Sequence, residues 1–276
     1  MSLFFLGLAL AAAILFAIAY RLPRPWAAYA AFFGLGTVAV AVVTAFIDGD
    51  EGGPILLAGG VGLVVLHRWA QRDRRRRAMA RFAWEHGFDF RAKYAEGLSG
   101  DFRLFGRGDG REARNALGGI WQGVPVKTLD YGYFETKAAW GFYRVKRWRR
   151  FSVGILDLGA SVPSVITELN GAAGLSSDYM GFHDIQLESD DFNRRFHVTC
   201  DDREFAYKFF DGQMLRWILG QPELLETEVL GRRGLVAMPR LEPERMGTLL
   251  DAAVGFYTHL PSVARQKSQA SEPIVP

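Results

Sequence analysis

The segment "HDIQLESDDFNRRFHVTCDD", residues 183–202, holds the densest set of side chains that could do chemistry. It carries His183 and His197, six acidic residues and the single cysteine, Cys200. Carboxylates beside an imidazole could serve as an acid/base pair, and Glu188, Asp190, Asp191 and His197 are the candidates for such an enzyme. Strand periodicity argues for a structural reading. In 194–200, Phe196, Val198 and Cys200 share one face, while Arg195, His197 and Thr199 share the other. Cys200 thus points with the apolar set, as a small core residue does. Ser189 and Asn193 have side chains that satisfy backbone groups in turns, Ser189 capping the turn at Asp190-Asp191. Phe192 and Phe196 anchor the joint, and Asp202 caps the helix that follows. No HExxH, CxxC or GxSxG pattern occurs, so no cofactor, metal site or catalytic residue is assigned. A lone cysteine also excludes a disulfide within the chain.

A second candidate is "WGFYRVKRWRR", residues 140–150, with four aromatic and five basic residues. Trp140, Arg144, Lys146, Arg147, Trp148, Arg149 and Arg150 could meet a membrane surface or stack on and neutralise a nucleic acid. As a bland alternative, they form the solvated face of a twisted hairpin. The "GRGDG" run, 106–110, is neither GxGxxG nor set in a strand-turn-helix context, which excludes a phosphate loop. Its Arg107-Gly108-Asp109 also matches an integrin-binding tripeptide, a chance match in a segment expected in the cytoplasm.

The elements that must position these residues follow from apolar periodicity and from glycine and proline punctuation. A helix runs through "RRRRAMARFAWEH" to His86 and is capped by Gly87, with Ala78, Phe82 and Ala83 on one side. "GDFRLFGRGDGREARNALGG" is glycine-rich and reads as loop. "NALGGIW" and "VPVKTLDYGYF" form a hairpin at Gln122-Gly123, although Val124, Val126, Leu129, Tyr131 and Tyr133 alternate imperfectly. Strands are expected at 149–159, 164–169, 184–189 and 194–200. Asp202 starts a helix broken at Asp211-Gly212, with Phe205, Phe209, Leu215, Ile218 and Leu219 inward. A second hairpin is expected around Arg232-Arg233, then a helix over 242–260 closed by Pro261. Strands followed by helices predict an α+β domain of mostly antiparallel strands with two or three helices, over 82–262, and a disordered tail at 263–276.

The N-terminal quarter is different in kind. Residues 1–67 contain only Arg21, Arg24, Asp48, Asp50 and Glu51 as charged groups. Segments 2–20 and 26–47 are long enough to cross a bilayer, which needs about 20 residues. A third, 52–69, has a short apolar core, Pro54–Leu66, with Arg68 able to snorkel. The N-terminal "MSLFF" lacks a positive n-region, which favours an anchor over a cleaved signal peptide. The third segment leads into an arm, 68–81, that holds Arg68, Arg72, Arg74, Arg75, Arg76, Arg77 and Arg81 against one Asp. Residues 82–276 carry 24 basic and 26 acidic side chains, so the basic pI of about 9.0 belongs to the arm. Nucleic acid is therefore an unlikely partner, since such a domain carries the charge on itself. Three spans place Arg21, Arg24 and the arm on one side, as the positive-inside rule asks. The expectation is an inner-membrane protein with its N-terminus outside and its domain in the cytoplasm. The arm would meet anionic inner-leaflet lipid. With no charged residue in the first two spans, a transporter is disfavoured.

The pattern Glu188-Ser189, Phe192-Asn193, Phe196, Val198, Asp202, Phe205-Ala206, with the layout of "FGRGDGREARNALGG" and "VKTLDYGYF", resembles uncharacterised bacterial membrane proteins of unknown function. The likeness covers most of 75–260. It implies N-terminal membrane helices, a basic juxtamembrane stretch and a cytoplasmic α+β domain, and it implies no activity. The expected role is a membrane-tethered, non-enzymatic scaffold or regulatory module with an unidentified protein partner.

Overall fold

A computed structural model of the chain describes residues 52–94, 102–139, 143–170 and 183–261. The predicted spans 2–20 and 26–47, Trp140 and the tail 263–276 lie outside the described residues. The chain divides into two units, 1–77 and 78–276.

In the first unit the description begins with α1 (Gly52–His86), a continuous helix of 35 residues that runs on into the second unit. The predicted third span and the arginine arm are thus one helix. Along it, the exposed Val64, Val65, Leu66 and Trp69 give way to arginines. Arg76 and Arg77 both pair with Asp73 at 2.8 Å, three and four residues apart. Among the described residues no helix is long and apolar enough to cross a membrane.

The second unit is α+β. Its strands are β1 (Asp89–Lys93), β2 (Gly110–Trp121), β3 (Val124–Ala139), β4 (Tyr143–Leu169), β5 (His183–Ile185), β6 (Phe196–Cys200) and β7 (Glu226–Pro239). They form one antiparallel sheet in the order β1-β2-β3-β4-β6-β5, with β7 also paired to β4. The helices are α2 (Arg103–Gly106), α3 (Asp190–Arg195), α4 (Arg203–Phe209), α5 (Gly212–Leu219) and α6 (Met246–His259), more than the two or three expected.

β4 is the axis. Val153 pairs with Leu129 on one side and Ala237 on the other; Val165 pairs with Cys200 and with Val229. β7 therefore follows β4 along one edge, while β3 and then β6 occupy the other. Two expectations are corrected here. Segments 149–159 and 164–169 are one strand, and the hairpin expected around Arg232-Arg233 is instead the continuous β7. A type I′ reversal at Arg232-Arg233 needs positive φ at both; here neither has it, only Gly231 at φ 57° does, and the segment stays paired to β4. That glycine bends the strand beside a matching irregularity in β4 between Asp157 and Val165, where Gly159 has φ 77°. Both strands turn together and stay paired. The Gln122-Gly123 hairpin does form, with φ 48° and 82°, the signs of a type I′ turn. Asp251 of α6 accepts from Trp121 Nε1 at 2.8 Å and Gln122 Nε2 at 2.9 Å, tying that turn to the helix.

Both faces of the sheet are covered, which explains the imperfect alternation in β3. Val124 and Val126 enter a large core with Met79, Ala83, Phe192, Phe209 and Phe256. Leu129, Tyr131 and Tyr133, of the other parity, enter a second core with Phe102, Leu104 and Phe105. The helix break falls at Asp211, which caps α5 by accepting from the Gln213 and Met214 amides at 2.9 Å. Phe205, Phe209 and Ile218 are buried as expected, whereas Leu215 and Leu219 are only partly so and Met214 is fully enclosed.

Phe256 lies at the centre of the large core, with Phe209 and Trp217 at ring separations of 6.2 and 6.0 Å. Phe256→Ala should destabilise the 78–262 fragment by about 3–5 kcal/mol in chemical denaturation. A loss under about 1 kcal/mol would mean that α6 does not close this core.

Candidate functional site

The described residues hold one concentration of buried charge, and it is not the predicted one. It lies on the second-core face, where α2 crosses the C-terminal half of β4 and the start of β7. Glu168 of β4 and Glu226 and Glu228 of β7 are all buried. Arg107, just after α2, reaches Glu226 at 3.0 Å with one guanidinium nitrogen and Glu168 with the other. Arg103 Nε lies 3.5 Å from Glu168. Glu228 accepts from the backbone amides of Arg103 at 2.6 Å and Leu104 at 2.8 Å, and the Tyr131 hydroxyl donates to the Leu104 carbonyl at 3.2 Å. The 102–107 segment is thus fastened by its own amides and guanidinium groups.

The local sequence requires this route. Gly108 has φ 74°, and a Cβ there would come within 2.7 Å of the Phe134 carbonyl and the Tyr133 ring. The Thr136 side chain, and its amide donating at 2.7 Å, hold the Asp109 carboxyl below the usual range. The "GRGDG" run is therefore a tight corner that buries Arg107, and the Arg-Gly-Asp tripeptide is folded inward at its first residue. The run read as loop from 100 to 119 instead contains α2 and most of β2, because pairing to β3 extends from Trp121 back to Gly110.

Burial sets the protonation of this cluster. Burial works against the charge of Arg107, but Glu226, Glu168 and Glu228 outweigh it and raise its pKa. The pKa of Glu228 is raised as well, which in a carboxyl disfavours the charge. Burial pushes its carboxyl up to about 7, against the pull of Arg107 and the two amides. Burial also raises Glu226, which Arg107 only partly offsets. Tyr131 rises to about 12, chiefly by burial. These groups neutralise one another and are enclosed, so the chemistry they offer is to lock α2 to the sheet and to hold a proton. No pattern of spacing could have found them: residues 107, 168, 226 and 228 meet only through the β4–β7 pairing.

The predicted segment 183–202 is a joint in the structure. Ser189 accepts from the Phe192 amide at 3.3 Å and starts α3, a helix where a turn was expected. Asn193 donates to the Leu187 carbonyl at 2.6 Å and accepts from the Leu187 amide at 3.1 Å. That side chain replaces a strand neighbour, so β5 ends at Ile185 and not at 189. α3 also takes Arg194 and Arg195 out of the expected strand. Phe192 and Phe196 are buried with rings 4.8 Å apart. Asp202 accepts from the Phe205 amide at 3.0 Å and caps α4.

The candidate acid/base residues are spread apart. Glu188, Asp190 and Asp191 are exposed, and Asp191 pairs with Arg194. His197 pairs with Asp184 at 3.4 Å. The Cys200 thiol is buried, donates to the Asp202 carbonyl at 3.0 Å, and is pushed by burial up to about 11. Among the described residues no group of three or more His, Cys, Asp or Glu is placed to hold a metal.

No family model matches the chain, and no curated protein matches it. Among solved structures it is similar to the mycobacterial trehalose monomycolate transport factor A, TtfA, with a TM-score of 0.51 and 16% identity. The match covers 68% of this chain and 93% of that one. At that identity the likeness shows a shared fold.

Two predictions follow from these geometries. In the joint, Phe196→Ala should cost about 3–5 kcal/mol and the exposed Asp190→Ala under about 1 kcal/mol; equal losses in chemical denaturation would contradict the joint. In the buried cluster, the folded Glu228 carboxyl titrates near 7 and the unfolded one near 4.5. Between those values only the folded state holds the proton, so stability falls as pH rises through that window and the loss is complete above it. The fall should reach about 3 kcal/mol, at about 1.4 kcal/mol per pH unit. Glu228→Gln should flatten it. An unchanged slope in that variant would place the titration elsewhere.

Proposed function

We propose that this protein is a membrane-tethered, non-enzymatic scaffold or accessory module of the bacterial envelope, held in the inner membrane by its N-terminal segments. The observation that carries this reading is α1. One unbroken helix joins exposed Val64, Val65, Leu66 and Trp69 to the arginine arm and then, through Met79 and Ala83, to the large core. At about 1.5 Å per residue it is about 52 Å long. It passes from apolar to cationic within one turn of Trp69, the sequence of environments at a bilayer interface. Apolar side chains left exposed on a helix otherwise stand in water at a cost.

Three further points support the reading. Segments 2–20 and 26–47 have the length and composition of spans. A third crossing at 52–69 is inferred from charge distribution alone: with Arg68 snorkelling it would put every N-terminal arginine on one side, where the helix by itself lacks the apolar length of a span. The similar fold belongs to a protein named as a transport factor. In this reading the N-terminus lies outside, the 78–262 unit is cytoplasmic, and Arg68, Arg72, Arg74, Arg75, Arg76 and Arg77 face anionic lipid headgroups. The protein partner would be another component of the same membrane.

Single cysteines at Asp50 and Arg74, in a Cys200→Ser background, test the arrangement. An impermeant thiol reagent on intact spheroplasts should label position 50 and leave position 74 untouched until the membrane is opened. Labelling at 74 with protection at 50 would invert the topology and remove the cytoplasmic module.

A further inference from the structure

The basic segment that the sequence singled out is not a face of the sheet. β3 and β4 pair without interruption from Val126↔Leu156 to Ala139↔Tyr143. Their neighbours stop earlier: the last β2 partner of β3 is Gly110 opposite Phe134, and the last β7 partner of β4 is Pro239 opposite Phe151. Residues 135–139 and 143–148 are therefore a two-stranded ribbon with no third strand on either edge among the described residues. A ribbon of this kind is not stable for its own sake. This one concentrates charge: 135–150 holds six basic residues and one acidic residue, a net of +5.

The two faces differ. Arg144, Lys146, Trp148 and Arg150 alternate onto one. There Trp148 sits 5.0 Å from Phe134, Lys146 Nζ lies 4.4 Å over the Phe134 ring, and Arg150 lies 5.9 Å from the Trp148 ring. Cations thus flank an aromatic pair in which Trp148 is exposed and Phe134 half-buried. The other face carries Val145, 54% exposed, and the exposed Arg147. Arg149 is turned inward, where its charge acts on Tyr133 and Glu226, which removes it from the surface set expected from the sequence.

We propose that this ribbon is a lipid-docking arm that binds the phosphate groups of an anionic phospholipid surface through Arg144, Lys146 and Arg150, with Trp148 at the headgroup boundary. The proposal rests on the membrane-tethered reading above. Charge complementarity selects an anionic surface. The exposed aromatic between cations suits the boundary between water and hydrocarbon, where tryptophan is favoured. The same chain's apolar N-terminal segments make a bilayer, and not a nucleic acid, the surface it is held against. Each cation near such a surface contributes about 1 kcal/mol, or about fivefold in occupancy.

The full chain, in a Cys200→Ser background with a fluorophore on Ala138→Cys, the exposed partner of Arg144 on the docking face, is reconstituted in vesicles of phosphatidylcholine alone or with phosphatidylglycerol. Quenching by aqueous iodide is then measured. Protection should be at least about threefold greater in the anionic vesicles, well under what three cations could supply. It should vanish in high salt, where screening is short-ranged. It should also vanish in Arg144→Glu/Lys146→Glu/Arg150→Glu, yet survive in Arg144→Lys/Lys146→Arg. Equal quenching in both lipids, or protection unaffected by charge reversal, overturns the proposal. So does stronger protection by a short DNA duplex added to neutral vesicles at the same salt. A chain that fails to float with neutral vesicles at all contradicts the tether itself, a result distinct from a tethered chain whose ribbon ignores lipid charge.

Discussion

The fold depends on one long strand that pairs with three others. β4 lies beside β7 along one edge, through an irregular stretch between Asp157 and Val165, and shares its other edge between β3 and β6. A 27-residue strand cannot stay flat at that length, because strands twist and coil. The bend is placed where Gly159 and Gly231 admit left-handed backbone, and Asp157 fixes it by accepting from the Gly159 amide at 2.8 Å. With both strands bent together, backbone pairing continues past the corner. Every element bearing on a function is attached to this axis: the joint through β6, the buried charges through Glu168, and the ribbon through Tyr143–Trp148.

The second constraint is the closure of the smaller core. α2 is four residues long and cannot hold its position by helical hydrogen bonds. It is held by Leu104 and Phe105 packed against Tyr131 and Leu129, and by Arg107 between Glu226 and Glu168. A buried ion cluster is costly to desolvate and only repays that cost when each group is paired. The pairing here comes from two strands, β4 and β7, and the α2 segment, so the cluster registers those pieces against one another. The raised carboxyls of Glu226 and Glu228 are the residue of that cost.

Much of this was legible in the sequence, for physical reasons that vary by element. The Gln122-Gly123 turn, the Asp211 and Asp202 caps and the end of α1 at Gly87 are local events, governed by residues within a few positions of one another. The parity of Phe196, Val198 and Cys200 could likewise be read from strand period alone. What could not be read depends on partners far along the chain. Arg232-Arg233 looks like a turn until β4 is there to pair through it. "GRGDG" looks like loop until β3 extends it into β2. Arg107 looks exposed until Glu168, 61 residues later, and Glu226, 119 residues later, arrive beside it. The face of Arg149 was misread because alternation assigns a side and not an environment.

In the proposed function the tether and the basic ribbon act together. α1 runs from exposed apolar side chains through the arginine arm to Met79 and Ala83 of the large core, and the β3–β4 ribbon presents cations flanking an exposed tryptophan. Its buried charge is closed on itself, and its surface charge is arranged for contact. The account stands or falls on the tether. Fractionate cells producing the full chain and wash the membranes with alkaline carbonate, which strips proteins held only at the surface. The account predicts that the chain stays in the membrane pellet, and that a chain beginning at Ala78 is released. Recovery of the full chain in the wash would contradict it.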